Sequence, residues 1–148
     1  MKKLLPPHLF VLFVLFMGIV CWAFQFKHNV LFPFNLIGVP FLLGGLFIAQ
    51  SSKKLFIKFK TNVNTFDEPD KLITNGMFKR SRNPMYLGFV FAIIGMALIY
   101  QGAISSFVMA LLFFLIVDRW YIKFEEDAML KKFGKEYSDY CGKTRRWI

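Results

Sequence analysis

Asp, Glu, Lys, Arg and His are missing from four long stretches of this 148-residue chain, and residue types that build polar sites are scarce. There are two cysteines, two histidines and nine acidic residues, against 19 lysines and arginines. Cys21 lies inside an apolar stretch and Cys141 near the C-terminus, which argues against a disulfide. His8 and His28 lie at opposite ends of one apolar stretch, so we expect no His/Cys metal site and no Ser-His-Asp triad.

Apolar residues are abundant instead. They make up 56% of the chain, and 20 of its residues are phenylalanine. A soluble domain of this size cannot bury so much apolar surface. The uncharged stretches cover residues 9–26, 32–50, 85–100 and 103–117, and a membrane-spanning helix needs about 20 residues. We therefore predict an all-α integral membrane protein, a single domain over residues 1–148, with four transmembrane helices; polar ends extend the two shorter stretches.

The basic residues lie on one side of this arrangement. All of them except Lys27 fall before the first stretch, in residues 51–84 or in residues 118–148, and all acidic residues fall in the last two segments. By the positive-inside rule, both termini and both segments are cytoplasmic. We expect localisation to a bacterial inner membrane. The net charge of +10 then reflects topology and attraction to lipid headgroups, not nucleic-acid binding.

The uncharged spans also restrict function. Proton-coupled pumps and ion pathways usually need an ionisable residue at membrane depth, so a transporter is disfavoured. The loops on the outer side are short, which places function at the cytoplasmic face. Residues 1–23 lack a small-residue cleavage site, so we expect a retained span instead of a signal peptide. Gly88, Ala92 and Gly95 lie at helical spacing and predict close packing between spans, with a groove for a lipid tail as the alternative.

The third apolar stretch has a recognisable helix start. Asn83 precedes Pro84, which predicts Asn83 as the N-cap and Pro84 as the first helical residue. Arg80 and Arg82 lie beside it. A helix N-terminus next to guanidinium groups suits a carboxylate or phosphate. The alternative is an ordinary start of a span with positive-inside arginines.

The fourth span is predicted to continue as a cytoplasmic C-terminal helical extension, because no glycine or proline occurs before Gly134. Glu125 and Glu126 lie on this extension. Glu125 shares a helix face with Ile122 and Met129, a placement that favours a specific partner or a raised pKa. A solvated acidic patch is the alternative. We expect the glutamate pair to converge with the helix start at Asn83.

Three stretches, taken in order, resemble the integral-membrane methyltransferases of the isoprenylcysteine carboxyl methyltransferase and phospholipid methyltransferase superfamily. Residues 72–78 (LITNGMF) are similar to the Leu-Val-Thr-x-Gly-Pro-Phe/Tyr stretch of that family. Residues 82–88 (RNPMYLG) are similar to its Arg-His/Asn-Pro-x-Tyr-x-Gly motif. The glutamate pair with the C-terminal signature, namely Phe133, Gly134, Tyr137, Tyr140 and residues 146–148, completes the resemblance.

The resemblance implies S-adenosylmethionine as the methyl donor and a lipophilic acceptor that enters from the bilayer. The implied cofactor-binding residues are Leu72, Ile73, Gly76, Asn83, Tyr86, Leu87, Gly88, Glu125 and Glu126. We assign Glu126 and Arg82 as catalytic: Glu126 would take a proton from an amine acceptor, and Arg82 would lie beside the carboxylate of the donor. No metal is expected.

The acceptor stays open. It is a lipid amine, a prenylcysteine-like carboxylate or a small thiol, and only an amine needs a base. The alternative from another class is a non-catalytic, lipid-binding membrane protein that has kept the methyltransferase fold.

Overall fold

A computed structural model describes residues 4–24, 29–61, 66 and 70–148 of the chain. These residues form helices and connecting loops, without a strand among them, which confirms the all-α class. The helices are α1 (Pro6–Phe24), α2 (Gly38–Lys58), α3 (Pro84–Ile99), α4 (Ile104–Ile116), α5 (Lys123–Phe133) and α6 (Lys135–Lys143). Short 3₁₀ turns lie at Phe34–Ile37 and Gly76–Lys79, and a π-helical turn at Val117–Ile122 joins α4 to α5.

Two helices among the described residues are long and apolar enough to cross a membrane. They are α1 and the continuous helix Phe34–Lys58, which overlap the predicted spans at 9–26 and 32–50; residues 25–26 of the first predicted span lie outside the described residues. The second helix extends beyond its predicted end at residue 50 and continues through a lysine-containing segment to Lys58. Helix α3 is apolar but shorter. Large apolar side chains such as Phe47 and Leu111 are exposed, as expected for a surface in contact with lipid.

Helices α2 and α3 are antiparallel and touch through their backbones. A Cβ atom on Gly45 would lie 2.4 Å from the carbonyl oxygen of Gly88, and one on Gly38 would lie 2.3 Å from that of Gly95. Residue numbers rise along α2 as they fall along α3, which sets the antiparallel direction. The predicted packing role of the small residues on α3 is therefore confirmed, and this contact leaves no room between the two helices for a lipid tail.

Aromatic rings join α1 to α3 and α4. The ring of Phe10 stacks on Phe89 with centroids 5.4 Å apart, and Phe13 meets Phe113 edge to face at 5.6 Å. Such pairs each contribute about 0.5–1.5 kcal/mol beyond the area they bury. The hydroxyl of Tyr121 donates to the carbonyl oxygen of Leu4 at 2.8 Å. The start of α1 is thus attached to the π turn that leads into the C-terminal extension.

The predicted C-terminal extension is helical, and the chain turns back after it. Gly134 separates α5 from α6 with a φ of +51°, a conformation that glycine adopts readily. After α6 the last residues return to the start of α3, where the amide of Arg82 donates to the carbonyl oxygen of Arg145 at 3.0 Å. We call residues 144–148 the C-terminal strap.

Candidate functional site

A cleft of about 70 Å³ lies beside the end of α2 and the start of α3. Its position follows from side-chain size along one face of α2, where Ala49 and Ser52 are buried. One turn later the same face carries Phe56, which meets Phe78 edge to face at 5.3 Å. The change from small to bulky side chains ends the close approach of the helices, and the cleft begins there.

The lining of the cleft brings together residues from distant parts of the chain. The lining residues are Phe56, Leu72, Ile73, Phe78, Arg82, Asn83, Glu125, Glu126, Met129, Tyr137 and Tyr140. Six of them are residues to which the sequence assigns a site role. Both the glutamate pair and the start of α3 line this one cleft, so their predicted convergence is confirmed.

Glu125 is linked to α3 through a tyrosine. The hydroxyl of Tyr86, whose residue is 5% exposed, donates to Oε1 of Glu125 at 2.8 Å. Tyr86 lies in the first turn of α3, and its ring also lies against Tyr121 at 6.4 Å between centroids. A hydrogen bond to an ionised acceptor is about twice as strong as a neutral one. Tyr86 therefore positions the Glu125 carboxylate at the edge of the cleft.

Glu126 lies between two guanidinium groups. Nη2 of Arg82 donates to its Oε1 at 2.9 Å, and Nη2 of Arg146 pairs with its Oε2. The side chains of Arg82 and Glu126 are 15% and 16% exposed, and that of Arg146 is 37% exposed. The hydrogen bonding that Arg146 donates to the Glu126 carboxylate raises the pKa of Arg146. Arg82 and Glu126 line the cleft, and Arg146 contacts Glu126 without being part of the lining.

Asn83 occupies the predicted N-cap position, and Pro84 begins α3 as predicted. The side chain of Asn83, however, makes no capping hydrogen bond, so that part of the prediction is wrong. Nδ2 of Asn83 instead donates to the carbonyl oxygen of Arg146 at 3.1 Å. The same carbonyl oxygen accepts from Oγ of Ser81 at 3.3 Å. The side chain is drawn away from the helix because it anchors the C-terminal strap.

Sequence reasoning missed the role of Asp118. Its Oδ1 accepts from the indole nitrogen of Trp147 at 2.9 Å and lies 3.4 Å from Nη1 of Arg146. Arg146 thus bridges Asp118 and Glu126, and the ring of Trp147 packs on Phe114 at 5.1 Å between centroids. Sequence similarity singles out residues 146–148, but nothing local in the sequence identifies Asp118 as their partner.

Two tyrosines of α6 complete the cleft. The hydroxyl of Tyr140 donates to the carbonyl oxygen of Phe78 at 2.6 Å. Burial raises the pKa of Tyr140 to about 12. The pKa of Tyr137 is also raised, mainly by burial and to a smaller extent by the negative charge of the nearby Glu126 carboxylate. Both phenols therefore stay protonated near neutral pH, so they act as hydrogen-bond donors and not as bases.

The other predicted site residues lie outside the lining. Gly76 has a φ of +62° and faces Leu55, a backbone conformation that glycine adopts readily. Gly88 lies in the contact with α2, and Leu87 is half-buried on α3. Within the described parts of the chain, no group of three or more His, Cys, Asp or Glu residues is arranged to hold a metal ion.

Comparison with known proteins gives two curated relatives, one from each subspecies of rice, Oryza sativa subsp. indica and subsp. japonica. Both are named probable protein-S-isoprenylcysteine O-methyltransferase, and each is 29% identical to this chain over 82 residues. The alignment covers 53% of this chain and 41% of each relative, so it spans about two fifths of the length of those proteins. No solved structure matches.

A family model covers more of the chain. The model of the family described as phospholipid methyltransferase matches residues 34–136, which is well over half of the sequence. The match includes α2 to α5, the start of α3 at Asn83 and the glutamate pair. The resemblance seen in the sequence motifs is confirmed, and the chain belongs to the phospholipid methyltransferase family.

Proposed function

We propose that this protein transfers a methyl group from S-adenosylmethionine to a lipophilic acceptor at the cytoplasmic face of a membrane. The observation that carries the proposal is the shared cleft. Arg82 and Asn83 at the start of α3 line it together with Glu125 and Glu126 on α5. Membership of a methyltransferase family supports the same function.

The residues of the cleft fit the donor. S-Adenosylmethionine has a carboxylate, an ammonium group, ribose hydroxyls and an apolar adenine face. Nε of Arg82 is buried and has no hydrogen-bond partner among the described residues, and it would donate to an oxygen of the donor. Glu125 would accept from the ammonium group or from ribose hydroxyls, because a carboxylate has about four acceptor positions. Leu72 and Ile73 supply an apolar wall.

The bound donor supplies an electrophilic methyl group on a sulfonium centre. The protein then has to hold its two substrates in line and exclude water, and alignment alone lowers such a barrier by up to about 7–11 kcal/mol. Tyr86 and Arg82 fix the two carboxylates of the glutamate pair, so these groups are ordered before a substrate enters. Tyr137 and Tyr140 remain neutral and contribute donors and aromatic surface, which attracts a cation.

Arg82 lines the cleft, and its guanidinium group would suit an acceptor with an anionic group. Arg146 is shared between Glu126 and Asp118, and Glu125 is a third carboxylate nearby, so the support comes from the position of Arg82 and not from an excess of positive charge. A prenylcysteine carboxylate and a phospholipid phosphate both suit guanidinium groups. Glu126 would act as a base for an amine acceptor only after its oxygens are released from these arginines. For a carboxylate acceptor no base is needed, and Glu126 would hold the arginines in place.

The proposal includes a topology. The described structure contains two helices long enough to span, and α3 and α4 would add two more, as the uncharged sequences at 85–100 and 103–117 suggest. The cleft, residues 51–84 and residues 118–148 would then lie on the cytoplasmic side with both termini, in a bacterial inner membrane. Labelling of single cysteines at residues 60 and 131 with an impermeant maleimide would test this, since only opened cells should react.

The central experiment measures methyl transfer and identifies the atom that receives the methyl group. Purified protein in detergent is incubated with methyl-tritiated donor and either a total lipid extract or a prenylated cysteine derivative. Alkali releases methanol from a methyl ester but leaves N-methyl groups in place. Label that extracts with the lipids and becomes volatile methanol in alkali identifies a carboxylate acceptor, and lipid-extracted label that stays non-volatile after alkali identifies an amine.

Variants connect the activity to the cleft. Glu125→Ala combined with Glu126→Ala should abolish donor binding in calorimetry, while Glu136→Ala, an exposed acid on α6, should bind as the parent does. Unchanged donor affinity in the double variant would show that the glutamate pair does not bind the donor. Parent protein that binds lipid but neither binds the donor nor transfers label would favour the non-catalytic alternative.

A further inference from the structure

The helix that carries the glutamate pair is interrupted by the π-helical turn Val117–Ile122. A π turn contains one residue more than an α-helical turn, and such turns are frequent at functional sites. Each residue of an α-helix advances the direction of the side chains by about 100°. One extra residue absorbed in a turn therefore rotates everything after it by about 100° relative to everything before it.

The contacts of Arg146 show this rotation. Its guanidinium group meets Asp118, inside the π turn, and Glu126, beyond it. These two acids are eight residues apart, and in an uninterrupted α-helix their directions would differ by about 80°. With one residue absorbed in the turn, the difference falls to about 20°. Both carboxylates then lie on one face, where a single guanidinium group contacts both.

The burial pattern shows the same rotation. Val117 is fully buried, and Glu125, eight residues later, reaches Tyr86 on α3. In an uninterrupted α-helix, residue 124 would take the place aligned with Val117. Phe124 is instead 38% exposed, and its ring packs on Phe66 at 5.5 Å between centroids. The residue that faces α3 is therefore a carboxylate instead of a phenyl ring.

We propose that the π turn is the positioning element of the cleft: its extra residue aims Glu125 and Glu126 at the start of α3. The consequence for donor binding rests on the proposed function, but the orientation of the glutamates does not. The prediction is that restoring a regular α-helix between residues 117 and 122 removes both glutamates from the cleft without changing any residue that lines it.

The first test determines the rotation of α5 without altering the length of the chain. Cysteines are placed one at a time at residues 124, 125, 128 and 129, each with Tyr86→Cys, in a background carrying Cys21→Ser and Cys141→Ser. A short bismaleimide then joins neighbouring cysteines. Residues 125 and 129 should cross-link at least fivefold faster than 124 and 128. The reverse order would mean that no extra residue is absorbed, and it would overturn the proposal.

The second test changes the number of residues in the turn. Deletion of Arg119, whose side chain is 82% exposed, should lower cross-linking between cysteines at 86 and 125 by at least tenfold. Arg119→Ala serves as the matched control and should stay within twofold of the parent. Deletion of Arg119 with one alanine inserted between Ile122 and Lys123 restores the residue count and should restore the cross-link. A folded deletion variant that cross-links at the parental rate would refute the proposal.

Two readouts separate this proposal from the proposed function. If the deletion variant does not fold, the cysteine scan decides the question. Donor binding is measured in the parent, the deletion variant and the compensated variant, with losses of at least tenfold expected in the deletion variant alone. Parent protein that fails to bind the donor would refute the proposed function, while the cross-linking results would still test the positioning role of the π turn.

Discussion

The hydroxyl of Tyr86 lies 2.8 Å from Oε1 of Glu125, although the two residues are 39 positions apart in the chain. This hydrogen bond connects the first turn of α3 to α5 and defines one edge of the cleft. A bond to a charged acceptor contributes about 1.5–3 kcal/mol, which makes it a sensitive point for testing how the site is ordered.

Tyr86→Phe should lower donor affinity by roughly 10- to 100-fold, because Glu125 loses the group that orients it. Calorimetry in detergent gives this value directly. Tyr100→Phe is the matched control, since Tyr100 lies at the opposite end of α3, and it should leave affinity unchanged. Equal affinity in both variants would show that Glu125 does not depend on Tyr86.

Glu126→Ala should lower the free energy of unfolding by about 2–3 kcal/mol, because Arg82 and Arg146 would be left as neighbouring cations without their shared carboxylate. The partial exposure of Arg146 keeps the expected loss below that of a fully buried pair. Thermal unfolding in detergent measures the effect. Glu136→Ala removes an exposed acid and should stay within about 0.5 kcal/mol of the parent; similar losses in both variants would contradict the role of the ion pairs.

Asn83→Asp separates helix capping from anchoring of the strap. Aspartate is as good an N-cap as asparagine, but it would place an oxygen against the carbonyl oxygen of Arg146, where Asn83 now donates. We expect a loss of about 1–3 kcal/mol in unfolding free energy. Asn75→Asp, at an exposed position before a 3₁₀ turn, is the control. Unchanged stability of Asn83→Asp would restore the capping interpretation.

Gly45→Ala should destabilise the protein by about 3 kcal/mol or more, because the new methyl group would meet backbone atoms of Gly88 and Ala92 at 2.4 and 2.5 Å. Gly44→Ala is the matched control at the neighbouring position, since a Cβ atom on Gly44 would meet no atom within 4 Å. Alanine is the better helix former, so this variant should be equally stable or more stable. Comparable unfolding temperatures for the two variants would disprove the backbone contact between α2 and α3.

Tyr140 should make the protein sensitive to alkali. Its pKa is raised from 10.0 to about 12 by burial, so between these values the unfolded chain loses this proton while the folded protein keeps it. The contribution of Tyr140 to the free energy of unfolding is therefore fully present below pH 10 and is lost as the pH rises to about 12, a loss of roughly 2–3 kcal/mol. Unfolding temperatures measured between pH 8 and 12 should fall less steeply in Tyr140→Phe than in Tyr100→Phe. Parallel curves would exclude Tyr140 as a source of the decline.

Local signals predicted the start of α3 and the arginines beside it, whereas Leu72 and Ile73 of the cleft were implied only by the family resemblance. Asn83 followed by Pro84 and an apolar stretch is sufficient to begin a helix, since proline has no amide to satisfy and a suitable φ angle. The glutamate pair was recognised because it lies on an amphipathic extension that has no glycine or proline before Gly134. In both cases the signal comes from a few neighbouring residues.

The side-chain role of Asn83 and the contribution of Asp118 were not predictable in this way. Both depend on hydrogen bonds to the strap. Trp147 of the strap is 29 positions from Asp118, and Arg146 is 63 positions from Asn83. Local propensity favoured a capping bond at Asn83. The carbonyl oxygen of Arg146 competes for the same side chain, and this competition arises only after the chain has folded back.

The sequence by itself determined the apolar stretches, the backbone contact allowed by small residues on α3, the start of that helix and the presence of two acids on a helix beyond the fourth stretch. These features depend on side-chain volume, hydrophobicity and local backbone preference. The tertiary structure decided which way the acids point and what they meet. One residue absorbed in the π turn rotates them by about 100°, and they then meet Tyr86 and Arg82 near the start of α3 and Arg146 of the strap, contacts between distant residues that local backbone preference does not specify.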